Sequence, residues 1–241
     1  MTPIVVLGFG FVGSAIVRRL ARDHGVVHSW GDLDDLDGLV THLWDLSPLA
    51  IVLAAGPPRH AGFRLDRKAL NDHVMLAERV ATYARDRETR IVLVSSTLAL
   101  SPMRTGYGAL KRLVEECVAG PRTVILRAGT VVGGLDDRNQ SVLHRFVRAA
   151  AAGLPLLISD EAVGQIVFLV TRDSLVDCVA HSLSMTLPVA PRDVASWSGS
   201  VRDLADLVLA RARRLRTEEG EGVEMISMID TMLAQAQKEG V

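Results

Sequence analysis

Cysteine is scarce in this chain: only Cys117 and Cys178 occur in 241 residues, isolated on segments that read as helices. That excludes a disulfide scaffold and points to reduced thiols in a cytoplasmic protein. An excess of charge of either sign is also missing. With 27 Lys and Arg against 28 Asp and Glu the formal net charge is -1, so there is no electrostatic case for nucleic acid or an anionic membrane surface as partner. Long apolar runs are absent too. The longest candidate, Ala149 to Ile158, is broken by Gly153 and Pro155, and the chain enters its first strand without a basic flank, so neither a membrane span nor a signal peptide is expected. His24, His28, His42, His73, His144 and His181 show no ligand spacing, and no metal site is expected. What is present is a 49% hydrophobic composition, enough for one sizeable core.

The amino terminus carries the first positive signal. Pro3-Ile4-Val5-Val6-Leu7 reads as a buried parallel strand, followed at once by Gly8-Phe9-Gly10-Phe11-Val12-Gly13, which is G-x-G-x-x-G in its required context. Ser14 to Arg22 continues with helical periodicity through Ala15, Ile16 and Leu20, and the next strand falls near 26 to 30. Gly8, Gly10 and Gly13 allow a tight turn and close approach of backbone to a pyrophosphate, with Phe11 and Val12 in the same turn and the helix dipole favouring the phosphates. Asp32 lies 19 residues beyond Gly13, where an acid accepts bonds from an adenosine ribose. The acidic run Asp32, Asp34, Asp35, Asp37 repels a 2′-phosphate and favours NAD over NADP, although Arg18 and Arg19 keep NADP possible.

The second signal is a strand, Ile91 to Val94, then Ser95-Ser96-Thr97, then a helix opened by Tyr107 and carrying Lys111 four residues on. On a helix those two side chains lie on one face, so an ammonium can stand beside a phenol and favour its anionic form. A phenol so placed is a proton donor or acceptor, and Thr97 at a strand end could hold a carbonyl or alcohol oxygen against it. The plain alternative is a half-buried aromatic and a solvated lysine.

Taken together these residues resemble the extended short-chain dehydrogenase/reductases, also called the NAD-dependent epimerase/dehydratase family. The resemblance extends to Ala54, Ala55 and Gly56 as small residues bordering the cofactor, to Asn71, to Leu126 through Gly133, where the usual proline is Ala128, to Gln165 through Asp173 and to Val194 through Ala205. It implies catalytic roles for Thr97, Tyr107 and Lys111, with Lys111 also holding the nicotinamide ribose. It further implies NAD as cofactor, a small-molecule substrate and a homodimer built on a helix bundle. The fold expected is α/β, a Rossmann-type doubly wound parallel sheet with a small C-terminal substrate lobe. Strands are placed near 3 to 7, 26 to 30, 50 to 55, 91 to 96 and 123 to 127, with a dinucleotide-binding core over 1–135 and the lobe and C-terminal helices over 136–241.

Several features bear on the activity. Ser96, Arg59 and His60 stand at the carboxyl edge of the sheet as candidate substrate contacts. Arg138, Arg145 and Arg148 could bind a phosphate, with surface charge as the plainer reading. Thr97 and Tyr107 are only ten residues apart, so the loop that closes the family's substrate pocket is trimmed. Leu98 and Ala99 follow Thr97 where the family's 4,6-dehydratases resemble one another in an acidic pair, which disfavours elimination of water. The expected function is an NAD(P)-dependent reductase or epimerase acting on a carbonyl or secondary alcohol of a sugar-nucleotide-like or other polyhydroxylated substrate. A non-catalytic dinucleotide-binding sensor or scaffold is the rival. In the tail, Met225, Ile226, Met228, Ile229, Met232 and Leu233 recur at helical spacing, giving an apolar face to be covered by the chain's own core or by a partner.

Overall fold

The computed structural model describes residues 3–24, 27–30, 35–56, 67–101, 106–133, 141–215 and 229–232. Asp32, Arg59, His60 and Arg138 lie outside them, as do Met225, Ile226, Met228 and Leu233.

Strands β1 (Ile4–Leu7), β2 (Val27–Trp30), β3 (Ala50–Leu53), β4 (Arg90–Ser96), β5 (Thr123–Ala128) and β8 (Arg192–Val194) form one sheet in the order β2-β1-β3-β4-β5-β8, parallel throughout. Near-continuous apolar runs such as Ile4–Leu7 and Ala50–Leu53 suit this arrangement, because both faces of a parallel sheet are covered and every residue of these strands is buried. Odd-numbered strand residues, among them Val5, Leu7, Ile51, Leu53, Ile91, Leu93 and Ile125, meet Leu39 and Leu43 of α2 (Leu36–Leu46), Leu76, Val80 and Tyr83 of α3 (Arg67–Asp86), and Leu110, Val114 and Val118 of α4 (Gly106–Val118). Helices α1 (Phe11–His24) and α6 (Arg172–Ser182) pack together and are tied by an ion pair from Arg19 to Asp177. The chain is thus a Rossmann-type doubly wound sheet, with the order of strands reversing between β1 and β3.

Contacts divide the chain into two units. Among the described residues, the first holds everything up to Gly129 together with Arg172–Val194, and the second holds Thr130–Thr171 and the residues from Ala195 onward. The division therefore differs from a single break at 135/136. Residues 172–194 return to the first unit, because β8 adds to the edge of β5 and α6 lies against α1.

The second unit contains a small sheet, β6 (Thr130–Val132) parallel to β7 (Ile166–Thr171) and β7 antiparallel to β9 (Trp197–Ser200), with α5 (Val142–Ala151) packed on α7 (Val201–Leu215). Its core takes in Val132, Phe146, Leu169, Leu204 and Val208, and also Ile229 and Met232, which are fully buried. The tail's apolar face, at these two positions, is therefore covered by its own unit, and Arg211 fixes it by an ion pair to Asp230. Fully burying such side chains is worth about 1.5–3 kcal/mol each, which outweighs what a short helical turn contributes by itself.

Helix α7 starts on a reciprocal cap. Asp203 accepts from the Ser200 amide at 2.8 Å and hydroxyl at 2.7 Å, and the Asp203 amide donates to Ser200 Oγ at 3.0 Å. The hydroxyl and amide of Ser200 hold the Asp203 carboxyl below the usual carboxylate range. A carboxylate lowered in the folded state contributes stability above its unfolded titration range and loses it as pH falls toward the folded one. Asp203→Asn is accordingly expected to melt slightly below wild type at neutral pH, with the gap closing in acid. A gap that widens in acid would remove the cap as its source.

Candidate functional site

At the carboxyl edge of the large sheet, β1 ends in a glycine turn whose glycines are required for different reasons. Gly8 has φ +97, and a Cβ there would stand 2.6 Å from the backbone of Ala55. A Cβ on Gly13 would stand 1.8 Å from the carbonyl oxygen of Gly8, so the first turn of α1 sits directly on the strand end. Gly10 differs: nothing lies within 4 Å of where its Cβ would be. The first intrahelical bond of α1 runs from the Ser14 amide to Gly10 O, which leaves the amides of Phe11, Val12 and Gly13 without helical acceptors, and no acidic side chain stands in that first turn. The residues present fit a dinucleotide, since Gly10 has open space where its Cβ would be and the first amides of α1 have no helical acceptor at the positive end of the helix dipole. The Phe11 ring, 37% exposed, carries the Arg172 guanidinium 5.2 Å from its centroid.

Ala54-Ala55-Gly56, leaving β3, connects this turn to α4. The Ala54 amide donates to Leu7 O at 2.8 Å, and Ala55 O accepts from Lys111 Nζ at 3.3 Å. A Cβ on Gly56 would stand 3.2 Å from the same ammonium. Lys111 is 4% exposed; its second hydrogen-bond acceptor is Val94 O of β4, at 3.2 Å, and its ammonium stands 5.7 Å from the centroid of the Tyr107 ring. Among the described residues the ammonium is hydrogen-bonded to carbonyl oxygens and paired with no carboxylate, so its positive charge stands beside the phenol. Tyr107 itself is half-buried at the start of α4.

Thr97 opens a short 3-10 turn, Thr97–Leu100, that follows β4 and packs against α4, so the hydroxyl and phenol sit on touching elements. Ser96 is buried; its Oγ caps the turn, accepting from the Leu98 amide at 3.3 Å. Asn71 is exposed on α3. In the second unit Arg145 is exposed and Arg148 half-buried on α5.

One turn beyond the lysine on α4 lies a buried network that the sequence pattern alone does not single out. Glu115, 3% exposed, accepts from the Ser95 hydroxyl at 2.6 Å and from Arg127 in a bidentate pair, Nη2 to Oε2 at 2.8 Å and Nε to Oε1 and Oε2 at 3.0 and 3.1 Å. Glu115 first, by hydrogen bonding, makes the Arg127 guanidinium still harder to deprotonate, against the effect of burial. The signal was there in part, for Tyr107, Lys111 and Glu115 recur at four-residue spacing on one helix face.

A cleft of about 290 Å³ lies at the opposite, amino-terminal edge of the sheet, lined by Ala84, Glu88, Cys117, Arg122 and others, away from this chemistry. Burial, then the Glu78 and Glu116 carboxylates, push the Cys117 thiol up, away from a reactive thiolate.

Sheet order and glycine turn define a Rossmann-type α/β fold. The chain belongs to the NAD dependent epimerase/dehydratase family, whose sequence model matches residues 4–179. Among curated proteins it is similar to a ceramide reductase of Caulobacter vibrioides, 26% identical, with 86% of this chain and 70% of the relative aligned. Among solved structures it is similar to the Bordetella bronchiseptica enzyme WbmG in complex with NAD, with a TM-score of 0.75 at 16% identity over 99% of this chain and 94% of that one. A UDP-glucose 4-epimerase of Thermotoga maritima gives 0.76 at 13% identity over 99% and 100%. At these identities the two structures bear on the fold.

Proposed function

We propose that this chain is an NAD-dependent reductase or epimerase that acts on a carbonyl or secondary alcohol, with Tyr107 as the acid/base. The observation that carries the reading is the buried Lys111 ammonium, held by Ala55 O and Val94 O and standing 5.7 Å from the Tyr107 ring centroid beside the glycine turn.

Gly8, Gly10, Phe11, Val12 and Gly13 hold the pyrophosphate with backbone amides, Ala54 to Gly56 border the cofactor, and Lys111 donates to its ribose. NAD, when bound, supplies the hydride acceptor, and NADH the donor. The phenol of Tyr107 gives a proton to a carbonyl oxygen or takes one from an alcohol. The Lys111 ammonium offsets the negative charge that develops on the phenol oxygen as that proton leaves. Thr97 orients the substrate oxygen, and no hydrogen bond among the described residues engages its side chain.

The substrate proposed is sugar-nucleotide-like or otherwise polyhydroxylated. Two relatives support a reacting alcohol or ketone as the common feature, one named for UDP-glucose epimerisation and one for ceramide reduction. The test is a fluorescence titration of the purified chain with NADH and NADPH, then a panel of UDP-sugars, ceramide-type ketones and small carbonyls, read by nicotinamide absorbance and by product analysis. Binding with turnover is expected. Binding without turnover on every substrate favours a sensor or scaffold role, to which the short connection from Thr97 to Tyr107 is suited. No binding of either nucleotide sinks the reading.

The packed pair α3 and α4 exposes Met75 and Leu113, which supports a homodimer through these helices. Sedimentation is expected to give twice the 26.0 kDa chain mass, and a monomer at micromolar concentration removes the dimer.

A further inference from the structure

We infer that Arg127 is a positioning residue for Lys111, acting by holding the Glu115 carboxylate away from the ammonium; this rests on the proposed role of Lys111 in binding the dinucleotide. Lys111 and Glu115 are four residues apart on the same buried face of α4, close enough for a direct ion pair. None forms. The lysine's hydrogen-bond acceptors are Ala55 O and Val94 O, and the glutamate's donors are Ser95 and Arg127.

The register of the sheet explains why. Ser95 of β4 lies opposite Arg127 of β5, so both side chains reach Glu115 from adjacent strands. Arg127 presents two donors to two carboxylate oxygens, a geometry a lysine ammonium cannot match, and Ser95 takes part of the remaining capacity. The burial of all three groups makes each choice of partner costly to change: Lys111 is 4%, the Glu115 side chain 4% and the Arg127 side chain 13% exposed. Two buried cations thus stand near one buried anion, and the anion, one helical turn beyond Lys111, is committed to Arg127 on β5. The ammonium is left on the carbonyls beside the phenol and the glycine turn.

Remove the guanidinium and the balance changes. Glu115 becomes a buried carboxylate whose nearest cation is Lys111, and the ammonium leaves Ala55 O and Val94 O for it. Remove the carboxylate charge instead and nothing draws the ammonium away. An ion pair that merely stabilises the fold has no such asymmetry, because deleting either charge leaves the other buried and unpaired.

The experiment uses the full chain with NADH as probe, measuring fluorescence affinity and melting temperature for wild type, Arg127→Met, Arg127→Lys, Glu115→Gln and the double variant Glu115→Gln/Arg127→Met. All substitutions are expected to lower the melting temperature except that the double variant recovers part of it. Arg127→Met is expected to lose on the order of tenfold in NADH affinity, as for one charge-assisted hydrogen bond. Glu115→Gln and the double variant are expected to stay within about twofold of wild type, below the effect of losing one such bond, and Arg127→Lys to fall between them and Arg127→Met, because a lysine keeps the charge but not the two-pronged grip on the carboxylate. Equal losses in Glu115→Gln and Arg127→Met, or wild-type affinity in Arg127→Met, overturn the inference while leaving the cofactor reading intact. Absence of NADH binding by wild type removes both. Should Arg127→Met fail to fold, Glu115→Gln decides: retained affinity despite a lower melting temperature supports the inference, and lost affinity overturns it.

Discussion

Tyr107→Phe is expected to bind NADH as tightly as wild type while losing turnover by a factor of about 10² to 10⁴ on any substrate the wild type accepts. The substitution removes one oxygen and leaves the ring, so the cation–π contact at 5.7 Å from the Lys111 ammonium survives, as do the lysine's bonds to Ala55 O and Val94 O. Nothing in the glycine turn is touched. The loss falls on proton transfer alone, which is why affinity and turnover separate. The chain supplies an internal control, because its other tyrosine, Tyr83, is buried on α3 and donates its hydroxyl to Leu43 O at 2.8 Å. Tyr83→Phe is expected to cost about 1 kcal/mol of stability through that lost bond and to leave turnover unchanged. Stopped-flow or steady-state absorbance of the nicotinamide, beside a thermal melt, distinguishes the two. Equal turnover in Tyr107→Phe and wild type would remove Tyr107 from the chemistry.

Gly13→Ala is expected to abolish NADH binding and to lower the melting temperature. The added methyl would stand 1.8 Å from the carbonyl oxygen of Gly8, about half an ordinary contact. That neighbour is backbone, locked in turn by Gly8's own approach to Ala55. Either α1 lifts off the strand end or the turn opens, and in both cases the amides of Phe11 and Val12 lose their aim. Gly10→Ala makes the informative contrast. Its methyl meets nothing within 4 Å, so the fold is expected to melt as wild type does, yet NADH is expected to bind more weakly because the space filled is the space the pyrophosphate needs. Wild-type affinity in Gly10→Ala would place the ligand elsewhere, and wild-type affinity in Gly13→Ala would show that the turn adapts.

Much of the first unit was legible in the residues. Strands Ile4–Leu7 and Ala50–Leu53 are short apolar runs between turn signals, and the glycine turn follows the first of them directly. The helix bearing Tyr107 and Lys111 could be read from spacing, and the family model matching residues 4–179 accords with the family resemblance. What spacing does not carry is register. That Arg127 lies across from Ser95, and that both meet Glu115, depends on how β4 pairs with β5, a fact no local pattern encodes. The return of residues 172–194 to the first unit was hidden for a related reason, since only the pairing of β8 with the far edge of β5 reveals it. The tail was half legible. Its apolar stripe could be seen, but whether Ile229 and Met232 were covered from within was decided by α7 and its Arg211.

That return of the chain governs how the protein can be cut. A fragment ending at Gly129 would lack α6 and β8, stripping α1 of its neighbour and turning β5 into an open border with Leu126 to Ala128 unpaired on one side. Such a piece invites strand-to-strand aggregation. The second unit fares no better, because its described residues come from stretches on either side of Arg172–Val194. Neither half can be excised by a single scission. A nick between them would leave two fragments, each needing sequence from the other, so synthesis of the large sheet is complete only after its last strand has emerged past residue 194.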